Sequence, residues 1–543
     1  MNLIPSHRSL CAGICLALAA ASGMWAAPAA PSGDRPLPRL VEKDGRYALL
    51  VDGAPYLILG AQVNNSSAWP AMLPKVWPAM EALHVNTVEI PVYWEQFEPR
   101  QGRFDTTLVD TLLQQAREHR VRLVLLWFGT WKNGSGHYQP EWMKLKPDFY
   151  PHVIGANGRA IDSPSPHSDA TLQADILAFT ALMRHLKAAD PQRTVIMVQV
   201  ENEAGMWGGV RDYSPAAQKL FEGQVPAKLL AKLNKQPGTW PQVFGEDADE
   251  FFHAWSVAEY IGKVAAAGKA VYPLPMYVNA ALRDPLTPSR PPSYESGGPT
   301  DNVLDIYKAA APAIDILAPD IYMPETDKYL AVLDHYHRAD NALFVPETGS
   351  FGPFSPYFFA ALGRQAIGYA PFGVDYTNLL TGSPGAPKTN EDWLAPFAVN
   401  YELVAPMQRE IARLSFEGKL QAAVEEKGKP TQTFDFGAWK ANVSYGRPGF
   451  GNAEAKGNPE TNGRILIAQL AGNQFLVAGI HVRADFEPAD KSSGKQRLFL
   501  KVEEGKYENG VFRVIRIWNG DQTDWGLNFA GAPQVLRVSV ATY

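Results

Sequence analysis

Eight short apolar runs recur along the chain before residue 375, and stretches with helical periodicity separate many of them. Strands that alternate with helices predict a parallel sheet, because each helix returns the chain to the edge where the next strand begins. Eight such strands predict closure into a (β/α)8 TIM barrel, an α/β fold. An open doubly wound sheet is the alternative, and it is disfavoured because no glycine-rich phosphate loop follows any run. The runs are Tyr56–Leu59, Asn86–Ile90, Val121–Trp127, Thr194–Val200, Met276–Val278, Ile314–Ala318, Ala342–Val345 and Ala366–Phe372.

The chain is expected to divide into a barrel, a connector and a β domain. The barrel is predicted over residues 30–400 and includes an N-terminal hairpin that turns at Asp52–Gly53. Helical periodicity then predicts a helical connector over residues 401–429, which ends where Lys427–Pro430 breaks the helix. Short alternating runs separated by Gly, Asn and Asp turns predict a C-terminal all-β sandwich over residues 430–543.

The N-terminus has the pattern of an export signal. Arg8 is followed by the apolar stretch Leu10–Ala21, which is too short to span a bilayer as a mature helix. We therefore predict a signal peptide over residues 1–29 and a periplasmic or secreted protein without a transmembrane segment. The only cysteines, Cys11 and Cys15, lie inside this segment. The predicted exported form thus excludes disulfides, thiolate metal sites and a cysteine nucleophile.

Composition limits the partners of the chain. Its 50 Lys and Arg against 56 Asp and Glu give a formal net charge of −6, so no nucleic-acid partner is expected. The 14 Trp, 21 Tyr and 25 Phe either fill cores or offer surfaces for flat ligands such as sugar rings. In the β domain, Trp439, Trp518 and Trp525 could form such a sugar-stacking face, although core packing is the expectation we favour. The sequence is compatible with a homo-oligomer.

Two of the apolar runs end in carboxylates. The run Thr194–Val200 leads into Glu201, Asn202 and Glu203, and the seventh run leads into Glu347. Catalytic groups of such barrels lie at the carboxyl ends of the strands. Two carboxyl groups that face one pocket suit glycoside cleavage, because one protonates the leaving oxygen and the other attacks the anomeric carbon. A single carboxylate at the barrel rim often forms only a structural ion pair, so it is the presence of two carboxylates that indicates catalysis.

Two stretches carry a family resemblance. The run Val198–Gly205 resembles the acid/base motif of glycoside hydrolase family 35 β-galactosidases. The stretch Asn86–Trp94, with Phe97-Glu98-Pro99 and the following Gly102, resembles the second-strand region of families 35 and 42. The resemblance covers most of residues 45–400, and it implies a retaining glycoside hydrolase of clan A.

The chain also departs from the family 35 pattern. Ala204 stands where that family has an aromatic residue, and Glu95 and Phe97 stand where it has Asn and His. The spacing of the second-strand region is closer to family 42. The resemblance therefore defines the type of reaction better than it defines the sugar that is cleaved.

The resemblance implies roles for individual residues. Glu203 would be the general acid/base, Glu347 the nucleophile and Asn202 a partner of the hydroxyl next to the anomeric carbon. Tyr322, at the end of the sixth run, would donate to the nucleophile carboxylate. Strand alternation leaves Glu201 open as a rival acid/base, because it lies on the same side as Glu203.

Residues at other strand ends are candidate sugar contacts. The rings of Trp94, Trp127 and Trp131 could stack on the apolar faces of a sugar, and Glu95 and Asn279 could bind its hydroxyls. Core packing is the competing interpretation for the tryptophans.

An exported, exo-acting β-galactosidase with an oligosaccharide or polysaccharide substrate is the implied function. Long loops at Met206–Asp249 and Ala280–Asp301 favour exo action, because such loops narrow a pocket. A β-glucosidase, β-mannosidase or endo-glucanase of the same clan stays open, as does a non-catalytic glycan-binding protein. We expect no cofactor and no metal, because the 11 His are scattered without ligand spacing; an oxygen-ligand Ca²⁺ site stays open.

Overall fold

The computed structural model describes residues 35–377, 391–508 and 510–543. The predicted signal peptide, residues 1–29, lies outside these ranges. The described chain begins with a three-stranded antiparallel sheet of β1 (Arg39–Lys43), β2 (Arg46–Val51) and β3 (Ala54–Tyr56). Among the described residues, no helix has the length and apolarity needed to cross a membrane.

Eight parallel strands then close into a barrel in the order β10-β11-β12-β13-β4-β5-β6-β9. The predicted TIM barrel is thereby confirmed. Two further strands, β7 and β8, form a separate hairpin between β6 and β9. The strands are β4 Ile58–Gln62, β5 Thr87–Tyr93, β6 Arg122–Lys132, β7 His152–Ile154, β8 Ala160–Pro164, β9 Val195–Asn202, β10 Met276–Ala281, β11 Ile316–Ile321, β12 Val345–Thr348 and β13 Gly368–Pro371.

Helices surround the barrel and bury one face against it. The long helix α5 starts at a cap in which Ser168 Oγ accepts from Thr171 N at 3.2 Å, and it buries Phe179 and Leu182. The helices are α1 Leu73–Ala82, α2 Trp94–Phe97, α3 Thr107–Glu118, α4 Glu141–Lys144, α5 Asp169–Ala189, α6 Pro215–Phe221, α7 Ala227–Leu233, α8 Trp240–Phe244, α9 Ala248–Val271, α10 Leu304–Ala310, α11 Thr326–Tyr336, α12 Tyr357–Gly363, α13 Glu391–Val404 and α14 Gln408–Phe416.

Several barrel strands extend further than the apolar runs predict. β6 continues from the predicted end at Trp127 to Lys132, and β12 includes Glu347 rather than ending before it. Polar residues at the ends of these strands interrupt the apolar pattern but keep strand geometry. Glu347 is therefore held on a regular strand rather than on a free loop, whereas Glu203 directly follows the end of β9.

The predicted helical connector over residues 401–429 is only partly helical. Helix α14 ends at Phe416, and β14 (Leu420–Val424) follows it and pairs with β17 (Arg464–Ala471). Gly418, at φ +71°, ends the helix and turns the chain into the strand. Short apolar residues without Gly or Pro made this strand resemble a continuing helix.

Two antiparallel sheets form the C-terminal domain, as predicted. One has the order β14-β17-β18-β23-β20-β21, and the other has the order β15-β16-β19-β22. Their facing apolar residues, among them Phe434, Phe475 and Phe486, form a core of their own. The strands are β15 Thr431–Asp435, β16 Trp439–Ser444, β17 Arg464–Ala471, β18 Gln474–Ile480, β19 Val482–Pro488, β20 Arg497–Glu508, β21 Val511–Ile517, β22 Leu527–Phe529 and β23 Gln534–Thr542.

Candidate functional site

Three carboxylates meet at the C-terminal end of the barrel. Glu203 follows β9, Asp320 lies in β11 and Glu347 lies in β12, and one oxygen of each lies within 4.8 Å of the others. Glu347 and Asp320 are buried, whereas Glu203 is half-buried. The two predicted catalytic residues are thus brought together, with an additional acid beside them.

Two neutral donors hold the Glu347 carboxylate. Tyr322 Oη, on the segment that leaves β11, donates to Oε1, and Gln62 Nε2, the last residue of β4, donates to Oε2 at 3.0 Å. Each oxygen therefore has a fixed partner. The carboxylate is oriented by the neighbouring strands before any ligand binds.

Burial dominates the acidity of this group. Burial, followed by the charge of Glu203, raises the pKa of Glu347 to about 7, against the lowering effects of Lys132, Tyr322 and Gln62. Burial and the charge of Glu347 likewise hold the pKa of Asp320 well above its usual range. Glu347 and Asp320 therefore both hold their protons more strongly than ordinary carboxyl groups do.

The backbone around Glu203 is bent out of strand geometry. Glu201 and Glu203 both have left-handed backbone conformations, with φ values of +64° and +41°. Such conformations are strained for non-glycine residues and cluster at functional sites. The peptide of Glu203 is fixed on both sides, since its N–H donates to Asn279 Oδ1 at 3.0 Å and its C=O accepts from Gly134 N at 2.9 Å.

This bend separates Glu201 from Glu203, although strand alternation would place them on one side. Glu201 Oε2 accepts from the backbone N–H of Trp131 at 2.7 Å. Burial and the neighbouring charge of Asp175 raise the pKa of Glu201 well above its usual range. Glu203, not Glu201, is the member of the pair that lies beside Glu347.

Asn279, predicted to bind substrate, is occupied by protein contacts. Its Oδ1 accepts from the Glu203 N–H, and its Nδ2 donates to Asp320 Oδ2 at 2.6 Å. The side chain therefore connects the acid/base candidate to the third carboxylate. Its geometry is that of a positioning residue.

Asn202 differs from Asn279 in this respect. It is fully buried, and neither its amide oxygen Oδ1 nor its amide nitrogen Nδ2 has a hydrogen-bond partner among the described residues. A buried amide without partners is rare and requires an explanation. A ligand hydroxyl would supply the missing contacts.

Trp94 and Trp127, which were predicted to stack on a sugar, lie in the packed interior of the protein. Both rings are fully buried and pack against each other, with centroids 6.1 Å apart. The indole N–H of Trp94 donates to Glu98 at 2.8 Å, and that of Trp127 donates to Asp175 on α5 at 2.9 Å. Trp127 points from the barrel toward the surrounding helices, because strand alternation puts it on the opposite face from the inward-facing Glu89. Trp94 is the first residue of helix α2, which follows β5.

Trp131 and Glu95 also lie away from a free sugar-binding surface. Trp131 is buried, packs edge-on against Tyr260 at 4.8 Å and donates to Ser163 Oγ at 3.3 Å. Glu95 forms a partly exposed ion pair with Lys144 at 3.4 Å. The predicted substrate contacts of these two residues are therefore replaced by packing and a surface ion pair.

A fourth acid was not predicted. Glu295, on the long loop after β10, is 2% exposed, and neither carboxylate oxygen has a hydrogen-bond partner among the described residues. Burial, then the charge of Glu203, raises its pKa well above the usual range, while Lys132 lowers it. Sequence position gave no signal for Glu295, whereas Gln62 and Asp320 end barrel strands and could have been selected by that rule.

Two glycines make room for this loop. A Cβ on Gly134 would lie 2.2 Å from Glu295 Oε1, and one on Gly205 would lie 2.3 Å from the Ser296 carbonyl oxygen. Met206 and Ser296 exchange two backbone hydrogen bonds of 2.8 and 3.0 Å. The loops that follow β9 and β10 are therefore joined directly beside Glu203.

The three clustered carboxylates could also hold a cation. Glu203, Asp320 and Glu347 offer oxygen ligands of the kind that Ca²⁺ and Mg²⁺ prefer. The Tyr322 and Gln62 donors already engage both oxygens of Glu347, which suits proton and hydrogen-bond chemistry better than coordination.

Two family models match separate parts of the chain. Residues 67–252 match glycoside hydrolase family 42, described as β-galactosidase, and residues 397–530 match a domain of unknown function, DUF5597. The first match contains Glu203 but ends before Glu347. No curated protein matches the chain.

Solved structures of glycosidases are similar over part of their length. A β-galactosidase from Bacillus circulans sp. alkalophilus is 14% identical with a TM-score of 0.47, over 65% of this chain and 57% of that one. A β-galactosidase from the psychrophilic Marinomonas ef1 is 12% identical with a TM-score of 0.48, over 66% and 61%. The exo-β-1,4-mannosidase Op5Man5 from Opitutaceae bacterium strain TAV5 is 16% identical with a TM-score of 0.37, over 61% and 54%.

The chain thus spans less than two thirds of the length of these solved proteins. The matched family model falls on family 42 rather than on family 35, in agreement with the spacing of the second-strand region. Residues 67–252, which form part of the barrel, are thus similar to glycoside hydrolase family 42, whose model is described as β-galactosidase.

Proposed function

We propose that the protein is an exported, retaining β-glycosidase that removes terminal β-galactosyl residues from oligosaccharides or polysaccharides. The observation that carries the proposal is the approach of Glu203 and Glu347, whose oxygens lie within 4.8 Å of each other at the end of the barrel. Retaining enzymes hold their two carboxyl groups about 5–5.5 Å apart, whereas inverting enzymes need a wider gap for water.

In the first step, Glu347 attacks the anomeric carbon and forms a glycosyl ester, while the bond to the leaving oxygen breaks. Glu203 gives its proton to that oxygen. Tyr322 and Gln62 favour the ionised form of Glu347, because they donate hydrogen bonds to its oxygens. Their contacts support the role of Glu347 as the nucleophile.

In the second step, Glu203 removes a proton from water, and the water oxygen attacks the anomeric carbon. The ester bond breaks, and Glu347 leaves as a carboxylate. Asn202 binds the hydroxyl next to the anomeric carbon, which would satisfy its unpartnered amide atoms. The half-buried position of Glu203 leaves it access to both the leaving group and water.

Exo action is supported by the joined loops beside Glu203. The backbone bridge between Met206 and Ser296 connects the two long loops at the edge of the site. Such a connection narrows the space for a chain that continues past the reacting sugar. A terminal residue would then fit better than an internal one.

A panel of 4-nitrophenyl glycosides tests the proposal, with β-galactoside, β-glucoside, β-mannoside and α-arabinoside assayed side by side. The β-galactoside should have the highest kcat/KM, and proton NMR should show β-galactose as the first product. Preference for another β-glycoside would overturn the sugar assignment alone. Release of the α-anomer first would overturn the retaining reaction.

A further inference from the structure

The four-stranded sheet of the C-terminal domain has two faces of opposite character. Alternate residues such as Phe434, Val443 and Phe486 point into the domain core. On the other face, Thr433 is paired with Asn442, and Asn442 is paired with Asp485 across three adjacent strands. Alternation therefore produces a row of short polar side chains on the outer face.

This polar face is the floor of a cavity of about 510 Å³. Thr433, Asn442, Arg483 and Asp485 line it from the sheet, and Arg447 and Trp525 line it from the adjacent loops. The cavity lies within the region that matches a domain of unknown function.

One arginine in the cavity is held in place but not fully satisfied. Arg483 is 2% exposed, and its Nη1 donates to the Gly451 carbonyl at 3.0 Å. Its Nε has no hydrogen-bond partner among the described residues, and the same is true of Arg447 Nε. A buried guanidinium donor without a partner favours a ligand with acceptor oxygens.

The charges of the lining are balanced. Arg447 and Arg483 face the same cavity as Asp485 and Asp524. An anionic ligand would meet both aspartates, and a cationic ligand would meet both arginines. The balance favours a neutral ligand with many hydroxyl groups.

An aromatic pair stands at the edge of the cavity. Trp525 is 36% exposed, Phe450 is 66% exposed, and their ring centroids lie 5.8 Å apart at an angle of 71°. Trp439 and Trp518, by contrast, are buried in the domain. Exposed rings beside polar groups match the amphipathic character of a sugar, which has apolar ring faces and polar hydroxyls.

We propose that this cavity is a second, non-catalytic binding site that takes a neutral glycan chain of the substrate polysaccharide. This inference rests on the proposed function for the identity of the glycan. Trp525 stacks on a sugar ring, while Asn442, Asp485 and the arginine donors bind hydroxyls. The site would keep the enzyme on its polymeric substrate while the barrel acts on chain ends.

Affinity gel electrophoresis of the full chain tests this site. The gels contain β-1,4-galactan, galactomannan or arabinogalactan, and the Glu347→Gln variant serves as the parent so that the polymer is not degraded. At least one of these neutral polymers should retard the parent, and Trp525→Ala and Asn442→Ala should each weaken that binding by about tenfold. Tyr543→Ala, which removes an exposed aromatic ring of the same domain, is the matched control and should bind as the parent does.

The inference is overturned if no neutral polymer retards the parent, or if both cavity variants bind as tightly as Tyr543→Ala. Equal melting temperatures of the four proteins show that the domain is intact in each. Trp525→Ala in the active background should leave kcat/KM for 4-nitrophenyl β-galactoside unchanged. Gel binding that the cavity variants weaken, in a protein whose wild-type chain has no glycosidase activity, would support the site and reject the proposed function. Normal glycosidase activity without gel binding would do the reverse.

Discussion

Tyr322 donates a hydrogen bond to Oε1 of Glu347, across neighbouring strands of the barrel. The phenol thereby stabilises the charged form of a carboxylate that burial would otherwise keep protonated. Burial raises the pKa of Glu347 and the hydrogen bonds from its fixed donors lower it. The pKa of Glu347 should therefore shift when one of these donors is removed.

The acidic limb of the pH profile should report this contact. Glu347 must be ionised to attack, so kcat/KM should fall as the pH falls through the value of about 7. Tyr322→Phe removes a hydrogen bond that lowers the pKa, so the acidic limb should move to higher pH and the maximal rate should drop. Tyr357→Phe, a tyrosine that contacts Thr326 and Pro324, is the control and should leave the limb in place. An unshifted limb in Tyr322→Phe would show that the phenol does not set this pKa.

Stability should depend on pH through the same carboxylate. The folded-state pKa of Glu347 is raised from about 4.5 to about 7, so its contribution to stability is greatest at low pH and is lost as the pH rises between these values. Glu347→Gln does not titrate. Its melting temperature should therefore exceed that of the parent, with a larger difference at pH 8 than at pH 5. A difference that shrinks as the pH rises would contradict the assigned direction of the shift.

Leaving-group dependence should distinguish Glu203 from Glu201. Glu203→Ala should keep much of its rate on 2,4-dinitrophenyl β-galactoside, whose leaving group needs no proton, and should lose about a hundredfold or more on an oligosaccharide. Glu201→Gln, which retains an acceptor for the Trp131 N–H, should affect both substrates to the same extent. The assignment of the acid/base fails if the two variants exchange these patterns.

Gly134 should be required for the loop arrangement beside Glu203. Gly134→Ala places a Cβ 2.2 Å from Glu295 Oε1. This clash would displace the backbone at residue 134, whose own N–H donates to the Glu203 carbonyl oxygen. We expect kcat to fall by about tenfold or more. Gly158→Ala is the matched control, because Gly158 has a similar φ of +75° against +70° but no atom within 4 Å of the added Cβ. Both variants should lose about 1 kcal/mol of stability from backbone strain, but only Gly134→Ala should lose activity.

The fold was predictable because barrel strands are buried on both faces. A continuous apolar run such as Val121–Trp127 marks such a strand without any long-range information. The ends were harder to place, since Lys132 and Thr348 belong to strands but interrupt the apolar pattern. The strand Leu420–Val424 cannot be distinguished from a continuing helix by sequence, because its length and residue types fit both structures.

The candidate site was only partly predictable. Glu203 and Glu347 could be found because they follow apolar runs that end at one face of the barrel. Nearness to a strand end does not place a ring on the open site, because alternation turns Trp127 toward the helices and Trp94 lies in helix α2. Glu295 could not be found, because its position depends on the pairing of Met206 with Ser296 between two long loops. That pairing leaves no local signal in the sequence.

Chemical rescue of Glu347→Gly tests the central claim most directly. The variant should lose activity on 2,4-dinitrophenyl β-galactoside by on the order of a thousandfold or more, because no carboxylate remains to attack the anomeric carbon. Added azide should restore part of the rate and yield α-galactosyl azide, since a single displacement inverts the anomeric centre. Absence of rescue, or formation of β-galactosyl azide, would contradict the role of Glu347 as the nucleophile.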